Sequence, residues 1–252
     1  MKPSLLVWSI LLCAGWLWSQ TTAAPASSPP VPIAQAQRMQ QMQAQQDWPD
    51  LARYRAENEA LPPVASGEKR VVFLGDSITD GWGRSPTTVF FPGKPYVNRG
   101  ISGQTTPQML VRFQQDVVHL HPAAVVILAG TNDIAGNTGP STQQMIEDNF
   151  TSMAEIAKQN GIKVVLASIT PAYAYPWKPE VQPVERIRAL NKWLQDFCSS
   201  NGFVYLDYYS SMADAKGAML PGLSSDGVHP TAKGYAVMAP MAERAIAQAL
   251  GQ

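Results

Sequence analysis

The chain of 252 residues carries 19 Lys and Arg against 19 Asp and Glu, so its formal net charge is zero. Hydrophobic residues make up 45% and charged residues 15%, which is enough apolar material for one sizeable core and is unlike a disordered chain. No dense run of Lys and Arg occurs, so electrostatic capture of nucleic acid or of an anionic membrane is not supported. We expect one main domain that binds a neutral or weakly charged small molecule.

The first 24 residues are typical of an export signal. An apolar run, Leu5–Trp18, is too short for a confident membrane span, and residues 21–26 supply small side chains for cleavage. An uncleaved anchor is the alternative, because the run is rich in Trp and Pro25 would hinder cleavage immediately before it. The prediction is a periplasmic or secreted protein without a stable membrane partner once the signal is removed.

The sequence has two cysteines. Cys13 lies in the predicted leader after Leu12, whereas a lipoprotein cysteine follows a small residue, so lipidation is not expected. Once the leader is cleaved, Cys198 has no partner for an intramolecular disulfide. The helical spacing of apolar residues around Cys198 predicts a packed thiol and not a nucleophile.

After the leader, residues 25–46 are rich in Pro, Ala, Ser and Gln and are interpreted as a linker. Residues 47–252 then form the predicted main domain, and residues 47–66 are its N-terminal helical extension. Four apolar side chains of this extension could share one side of a helix that packs on the domain: Trp48, Leu51, Tyr54 and Leu61.

Strand and helix patterns alternate through the rest of the chain. The strand candidates are residues 70–74, 96–99, 123–129, 163–169 and 203–206, and the helix candidates are residues 106–120, 141–160, 184–201 and 231–250. Gly161 and Gly202 are well placed to end two of the helices. The alternation predicts an α/β fold, a three-layer α/β/α sandwich around a mainly parallel five-stranded sheet, with its sites at the carboxyl ends of the strands.

The first of these strands ends in Gly75, Asp76 and Ser77. A serine held at the end of a buried strand is a candidate nucleophile. The alternative is an ordinary strand-to-helix turn in which Asp76 or Ser77 caps the next helix.

A serine hydroxyl needs a base to take its proton and a carboxylate to orient that base, and His229 and Asp226 suit these two tasks. The chain has three histidines. His119 and His121 lie at a predicted helix end, where they can face the negative end of the helix dipole, and no further ligand is evident for a metal pair. The alternative for His229 is a loop histidine bonded locally to Asp226.

Two further segments end in small polar residues. Residues 98–107 contain Gly103 and lead into a helix, and residues 123–133 form a buried strand pattern that ends at Gly130, Thr131 and Asn132. Backbone N–H groups and an Asn amide are the donors that an oxyanion hole requires. A plain turn glycine and an Asn cap are the alternatives.

Taken together, four segments in order resemble the blocks of the SGNH hydrolases, the superfamily that includes the GDSL esterases and lipases. They are residues 75–78, 98–103, 130–133 and 226–230, and the resemblance covers roughly residues 68–250. One departure is Ile78, where the motif's name has leucine, and that position is apolar packing. No G-x-S-x-G elbow occurs, which argues against the α/β-hydrolase fold.

The resemblance implies that Ser77 is the nucleophile, His229 the general base and acid, and Asp226 the orienting carboxylate. It also implies an oxyanion hole built from the Ser77 and Gly103 N–H groups and the Asn132 side chain. Neither a metal nor an organic cofactor is required.

The expected reaction is hydrolysis of short acyl esters, in particular O-acetyl groups on carbohydrates, because aromatic faces suit sugar rings. The candidate substrate contacts are Trp82, Tyr173, Tyr175 and Trp177. Arg84 and Arg99 could meet a polar substrate group or form surface pairs. The alternatives are a lysophospholipase or thioesterase acting on longer chains, acyl transfer to another sugar, and a non-catalytic carbohydrate-binding module.

Overall fold

A computed structural model of the chain describes residues 46–85 and 87–252, in which strands and helices alternate. The strands are β1 Val71–Gly75, β2 Tyr96–Gly100, β3 Ala124–Leu128, β4 Lys163–Ala167 and β5 Val204–Leu206. The helices are α1 Arg55–Ala60, α2 Ser77–Asp80, α3 Thr106–Asp116, α4 Thr131–Ala135, α5 Gln143–Gln159, α6 Val184–Asn201, α7 Tyr208–Met212 and α8 Ala232–Leu250. The predicted signal segment and, except for Gln46, the predicted linker lie outside the described residues.

The five strands form one parallel sheet in the order β2-β1-β3-β4-β5. All side chains of β1 and β3 are buried, as expected for central strands covered by crossover helices on both faces. Alternation along β1 sends Val72 and Leu74 into one core layer and Val71 and Phe73 into the other. The predicted α/β fold with a five-stranded sheet is confirmed.

Helices α3, α5 and α6 cover one face of the sheet, and α8 covers the other. Phe113, Phe150 and Leu194 supply fully buried side chains from the first three helices. Tyr235 and Met238 of α8 pack into the opposite layer. These long helices are the ones that apolar periodicity predicts, because each buries one continuous stripe against the sheet.

Two predicted helix ends are confirmed. Gly161 and Gly202 adopt left-handed backbone angles, with φ of +71° and +70°, which glycine reaches without a steric penalty. The short helices α2, α4 and α7 were not predicted, since helices of 4 to 5 residues are too short to show a 3.6-residue period.

The predicted helical stripe of the N-terminal extension is wrong, because α1 is only 6 residues long and begins at Arg55. Upstream of it the Asp47 carboxylate accepts the Leu51 N–H at 2.8 Å, and Asp50 has a φ of 56°, so the chain turns there instead of continuing a helix. Trp48 lies outside α1 and is 43% exposed.

The extension is nevertheless attached to the sheet and to α3. Tyr54 is buried, and its hydroxyl donates to the Gly100 carbonyl at the end of β2. Gln108 and Gln115 of α3 donate to the carbonyls of Trp48 and Leu51 at 2.6 and 2.8 Å. The expected packing of this segment on the main domain is therefore present, through these polar contacts and through Leu61, which packs against the core.

The carboxyl ends of β1 and β2 lie directly against α2. A Cβ on Gly100 would lie 2.1 Å from the Asp80 nitrogen, and one on Gly75 would lie 2.1 Å from Thr79 Oγ1. Only glycine permits this approach, which holds the first turn after β1 at the edge of the sheet. Among the helices of residues 46–85 and 87–252, none is long and apolar enough to cross a membrane.

Candidate active site

The strand order creates a crevice where β1 and β3 lie side by side. The chain leaves β1 toward β2 on one side, while β3 continues the sheet on the other, and ligands of open parallel sheets bind outside such a reversal point. Ser77 is the first residue of α2 after β1, and Asn132 is the second residue of α4 after β3. The topology thus places at one edge two side chains that are separated in sequence by two crossover connections, β1 to β2 and β2 to β3.

Asp76 and Ser77 make different contacts at the start of α2. The Asp76 carboxylate caps α2 by accepting the Ile78 N–H at 2.9 Å. The Ser77 Oγ lies 2.9 Å from the Nε2 of His229. Asp76 therefore caps the helix, as one interpretation of this turn predicts, and the Ser77 hydroxyl lies against the histidine.

His229 is held by Asp226 on its other side. The His229 Nδ1 lies 2.6 Å from the Asp226 Oδ2, and because an ionised carboxylate only accepts, Nδ1 carries the proton. The Nε2 lone pair is therefore free to accept the hydroxyl proton of Ser77. The local pairing of His229 and Asp226 coexists with the serine contact.

The loop before α8 fixes this carboxylate. The Asp226 Oδ1 accepts the backbone N–H groups of Val228 and His229 at 2.9 and 2.8 Å, and the Ser224 hydroxyl at 3.1 Å. Burial raises the pKa of Asp226, but the hydrogen bonds from the His229 ring and from these N–H groups outweigh it and hold the pKa below its usual range. Asp226 therefore remains charged at neutral pH.

Gly103 lies in the turn after β2 with a φ of +81°. The preceding Ser102 donates its N–H and its hydroxyl to Asp80 Oδ2 at 3.1 and 2.5 Å, which ties this turn to α2. Among the described residues, no acceptor pairs with the N–H of Ser77 or of Gly103. Both groups can therefore donate to a substrate oxygen.

Asn132 is buried between the two loops. Its Nδ2 donates to the Gln104 carbonyl at 3.0 Å, and its Oδ1 accepts from Asn137 at 2.8 Å. Because an Asn amide has two N–H groups, one remains for an oxyanion. Gln104 is itself held by Arg112, whose Nε donates to its Oε1 at 2.6 Å.

Asp80, Gln104 and Asn137 did not emerge from the sequence as part of the site. Asn137 had a usable signal, because it lies in a Gly-rich turn directly after the Gly-Thr-Asn-Asp segment. Asp80 lies one helical turn after Ser77, a spacing that places both residues on one side of a short helix.

Two of the aromatic residues predicted to contact substrate are not available for it. Trp82 is 4% exposed and packs against Phe91 and Tyr235, at ring distances of 4.9 and 5.0 Å. Tyr175 is fully buried beneath Trp177. These two predictions are corrected, because both rings serve the apolar core.

The other two aromatic residues lie on the surface beside the triad candidates. Tyr173 is 61% and Trp177 is 38% exposed, and the Trp177 ring lies 5.9 Å from the His229 ring. A cavity of about 310 Å³ adjoins Asp226, and its lining includes Tyr173, Pro176 and Met219. A ring-shaped or apolar group of a substrate can therefore lie next to the histidine.

The two arginine candidates are engaged in the protein. Arg99 is buried over the Tyr54 ring, donates to the Asn58 Oδ1 at 2.7 Å and lies 3.6 Å from the Glu57 carboxylate, so it forms the expected kind of ion pair although its own side chain is buried. Arg84 pairs with Asp80, which is one of the two roles expected for it.

Three other candidates lie outside this crevice. His119 is in a short 3-10 turn and contacts Gln114 at 3.3 Å, and His121 ends that turn with a φ of 50°. Cys198 is 1% exposed in the core, where burial raises the pKa of its thiol to about 12. It is the packed thiol that its helix pattern predicts.

Comparison with known proteins agrees with this geometry. Residues 73–237 match the model of the GDSL-like lipase/acylhydrolase family. The chain belongs to this family. The resemblance to GDSL and SGNH hydrolases is thereby confirmed, and with it the expectation of a family of ester hydrolases.

Three relatives illustrate the range of this acylhydrolase family. The structure of a GDSL-like lipase from Bacteroides thetaiotaomicron is 43% identical, with a TM-score of 0.78 over 81% of this chain and 100% of that one. An acetylxylan esterase from Geobacillus stearothermophilus is 24% identical over 70% of this chain and 92% of its own length. An uncharacterized lipoprotein, YqeF, from Bacillus subtilis is 31% identical over 42% of this chain, and the matched segment covers only 50% of the length of YqeF.

Two buried carboxyl groups lie behind the acylhydrolase site. Asp133 accepts the Thr106 N–H and hydroxyl at 3.0 and 2.6 Å, which anchors the start of α3. Burial raises the pKa of Asp133, although the bonds from Thr106 oppose this. Burial likewise raises the pKa of Asp76 to about 7, against the lowering effects of the Ile78 N–H and of His229.

The raised pKa of Asp76 predicts a specific dependence of stability on pH. The folded chain retains the Asp76 proton up to about pH 7, whereas the unfolded chain releases it near 3.8. The contribution of protonated Asp76 to the free energy of unfolding is therefore fully present below pH 3.8 and is lost as the pH rises toward and through 7.

The Asp76→Asn variant has no such proton to lose. Between about pH 4 and 7, the free energy of unfolding of the wild type should therefore fall by a few kcal/mol relative to that of the variant, at roughly 1.4 kcal/mol per pKa unit. Urea unfolding of both proteins at several pH values measures this difference. A difference that does not change with pH would contradict the buried carboxyl as its source.

Proposed function

We propose that the protein is an exported serine esterase that hydrolyses short acyl esters, with O-acetyl groups on carbohydrates as its natural substrates. The observation that carries this proposal is the hydrogen-bonded series from Ser77 Oγ through the His229 ring to Asp226, at 2.9 and 2.6 Å. Membership of an acylhydrolase family supports the same reaction class.

In the proposed acylation step, His229 Nε2 takes the Ser77 proton while Oγ forms a bond to the carbonyl carbon of the ester. The electron pair of the carbonyl π bond moves to oxygen, and this oxyanion accepts from the Ser77 and Gly103 N–H groups and from Asn132. His229 then protonates the leaving alcohol as its C–O bond breaks. Asp226 stabilises the imidazolium that exists between these two transfers.

Deacylation repeats the sequence with water in place of the serine. His229 takes a proton from water, the hydroxide oxygen bonds to the acyl carbon, and the same donors hold the second oxyanion. Collapse breaks the bond to Ser77 Oγ, which recovers its proton from His229. The products are a carboxylic acid and the unchanged enzyme, and no step needs a metal or an organic cofactor.

The surroundings of His229 support a carbohydrate alcohol as the leaving group. His229 must protonate that alcohol, so the leaving group lies on the side of Trp177 and Tyr173, whose exposed rings can pack on a sugar face. The acetylxylan esterase relative supports an acetylated sugar. The apolar cavity wall at Pro176, Pro179 and Met219 is the feature that favours the second candidate, a lipase or thioesterase for longer acyl chains.

Removal of single side chains tests the triad. Ser77→Ala should lower kcat by about 10⁴-fold or more, because no other described hydroxyl lies against His229 Nε2. Asp226→Asn should lower kcat by about 10²-fold or more, because the amide no longer selects the required tautomer. Initial rates on p-nitrophenyl acetate measure both changes.

The matched control for these rates is Ser152→Ala, a partly buried serine of α5 whose hydroxyl bonds to the Asp148 carbonyl of the same helix, with thermal melting of every variant to show that it folds. Retention of most activity in Ser77→Ala would contradict the assignment of Ser77 as the nucleophile. Sugar binding by the wild type without turnover of any ester would instead support a binding module.

The choice of acyl group separates the two candidate functions. A series of p-nitrophenyl esters from acetyl to decanoyl should show the highest kcat/KM at acetyl, and acetylated xylo-oligosaccharides should release acetate, with Ser77→Ala as the blank. A higher kcat/KM at eight carbons or more would overturn the sugar esterase in favour of the lipase. Acetylated products formed on an added polysaccharide would show transfer in place of hydrolysis.

Export and domain boundaries belong to the same proposal. Residues 1–24 serve as the signal peptide, residues 25–46 as a linker, and residues 47–252 as the catalytic domain with its extension at 47–66. Expression of the full chain in a Gram-negative host should yield a periplasmic protein whose mass lacks roughly the first 24 residues. An intact chain in the membrane fraction would support an uncleaved anchor, and the chain without residues 1–24 is the cytoplasmic control.

A further inference from the structure

The amide of Asn137 has a defined orientation. Its Nδ2 donates to Asn132 Oδ1 at 2.8 Å and to the Gly103 carbonyl at 3.3 Å, and its Oδ1 accepts the indole N–H of Trp177 at 3.1 Å. The Gly103 carbonyl only accepts and the Trp177 indole N–H only donates, so these two partners select one orientation of the Asn137 amide, in which its NH₂ also faces Asn132. A flipped amide would set its oxygen against two other oxygens and its NH₂ against the indole N–H.

The orientation of Asn137 determines that of Asn132. Asn132 is 2% exposed, and its Oδ1 faces the Asn137 NH₂ while its Nδ2 faces the Gln104 carbonyl. If Asn132 rotated, its oxygen would face the Gln104 carbonyl oxygen. The two contacts together fix which end of the Asn132 amide is the NH₂ end, and its second N–H has no acceptor among the described residues.

The Trp177 ring is held by packing against Tyr175. Its ring stacks on the fully buried Tyr175, with 5.2 Å between ring centroids and 25° between ring planes. This packing keeps the indole N–H directed at Asn137. The outer part of the ring remains exposed beside His229.

We propose that Trp177 and Asn137 are positioning residues, which hold the donor end of the Asn132 amide toward the oxyanion of the tetrahedral intermediate. This inference rests on the proposed function, since it gives that reaction's oxyanion donor its orientation. Neither residue touches the reacting atoms in this role. The series runs from the Trp177 indole to the Asn137 amide, from there to the Asn132 amide, and from Asn132 to the substrate oxygen.

The competing role for Trp177 is direct stacking against the leaving group. The two roles make different demands on the ring. Stacking needs only the aromatic face, which phenylalanine also supplies, whereas positioning needs the indole N–H. The Trp177→Phe variant therefore removes the positioning contact and retains an aromatic ring.

The test is a double-mutant cycle between Trp177→Phe and Asn132→Ala, with p-nitrophenyl acetate as a substrate that carries no sugar. Asn132→Ala should lower kcat about 10²- to 10³-fold, as loss of an oxyanion donor does. Trp177→Phe alone should lower kcat about 3- to 10-fold, because the Trp177 contact with Asn137 is exposed and its loss only loosens the donor. In the Asn132→Ala background, Trp177→Phe should cause no further loss.

Two additional variants complete the experiment. Asn137→Ala should lower kcat at least as much as Trp177→Phe, and it tests the same series if the tryptophan variant folds poorly. Trp193→Phe is the matched control on α6, where the indole stacks on Phe197 at 4.8 Å, and its kcat should equal that of the wild type. KM should change less than about twofold in Trp177→Phe and Asn137→Ala, since the oxyanion forms only in the transition state.

Several results would overturn the inference. They are an unchanged kcat in Trp177→Phe and Asn137→Ala, a rise in KM alone, or an equal loss from Trp177→Phe with and without Asn132. Equal rates for the wild type and Ser77→Ala would overturn the proposed function, and this inference with it. A Ser77-dependent rate that is insensitive to Trp177→Phe and Asn137→Ala overturns the inference alone.

Discussion

The parallel pairing of β1 with both β2 and β3 is the constraint on which the candidate site depends. Parallel strands end at the same edge, so the residues that follow β1, β2 and β3 must meet there. Ser77, Gly103 and Asn132 follow these three strands in turn. Close backbone approach at Gly75 and Gly100 then removes the space in which α2 could shift. The position of the candidate nucleophile and of two candidate oxyanion donors is thus a consequence of strand order.

Rigidity of the donors comes from polar contacts around this edge. Gln104 links three parts of the chain: its carbonyl holds Asn132, its side-chain oxygen holds Arg112, and its side-chain nitrogen donates to the Pro49 carbonyl at 2.6 Å. Each such bond contributes about 1 kcal/mol net, but leaving one buried partner unpaired costs more. An oxyanion hole benefits because its dipoles need not reorganise during the reaction. The N-terminal extension therefore contacts, through Gln104, the edge of the sheet that carries the candidate site.

Long elements were predictable, whereas short ones and packing partners were not. The boundaries of α6 match the sequence prediction, because its apolar stripe repeats over 18 residues and Gly202 stops it. The extension turns at Asp47, whose carboxylate accepts the Leu51 and Ala52 N–H groups, and at Asp50, whose φ is 56°, and these features override the helical pattern. Trp82 and Tyr175 follow the expected strands, but whether such a ring faces solvent depends on contacts with residues distant in sequence, such as Tyr235.

The sequence alone determined the layered α/β architecture and the identity of Ser77, Asp226 and His229 as candidates, because strand and helix periods and the chemistry of a serine nucleophile are local properties. Only the tertiary structure decided that Ser77 Oγ lies 2.9 Å from His229 Nε2, across 152 residues of sequence. It also joined Trp177, Asn137 and Asn132 through side-chain hydrogen bonds. Hydrogen bonds between loops depend on which strands are neighbours, and no local pattern encodes a contact between loops that meet only when the sheet is assembled.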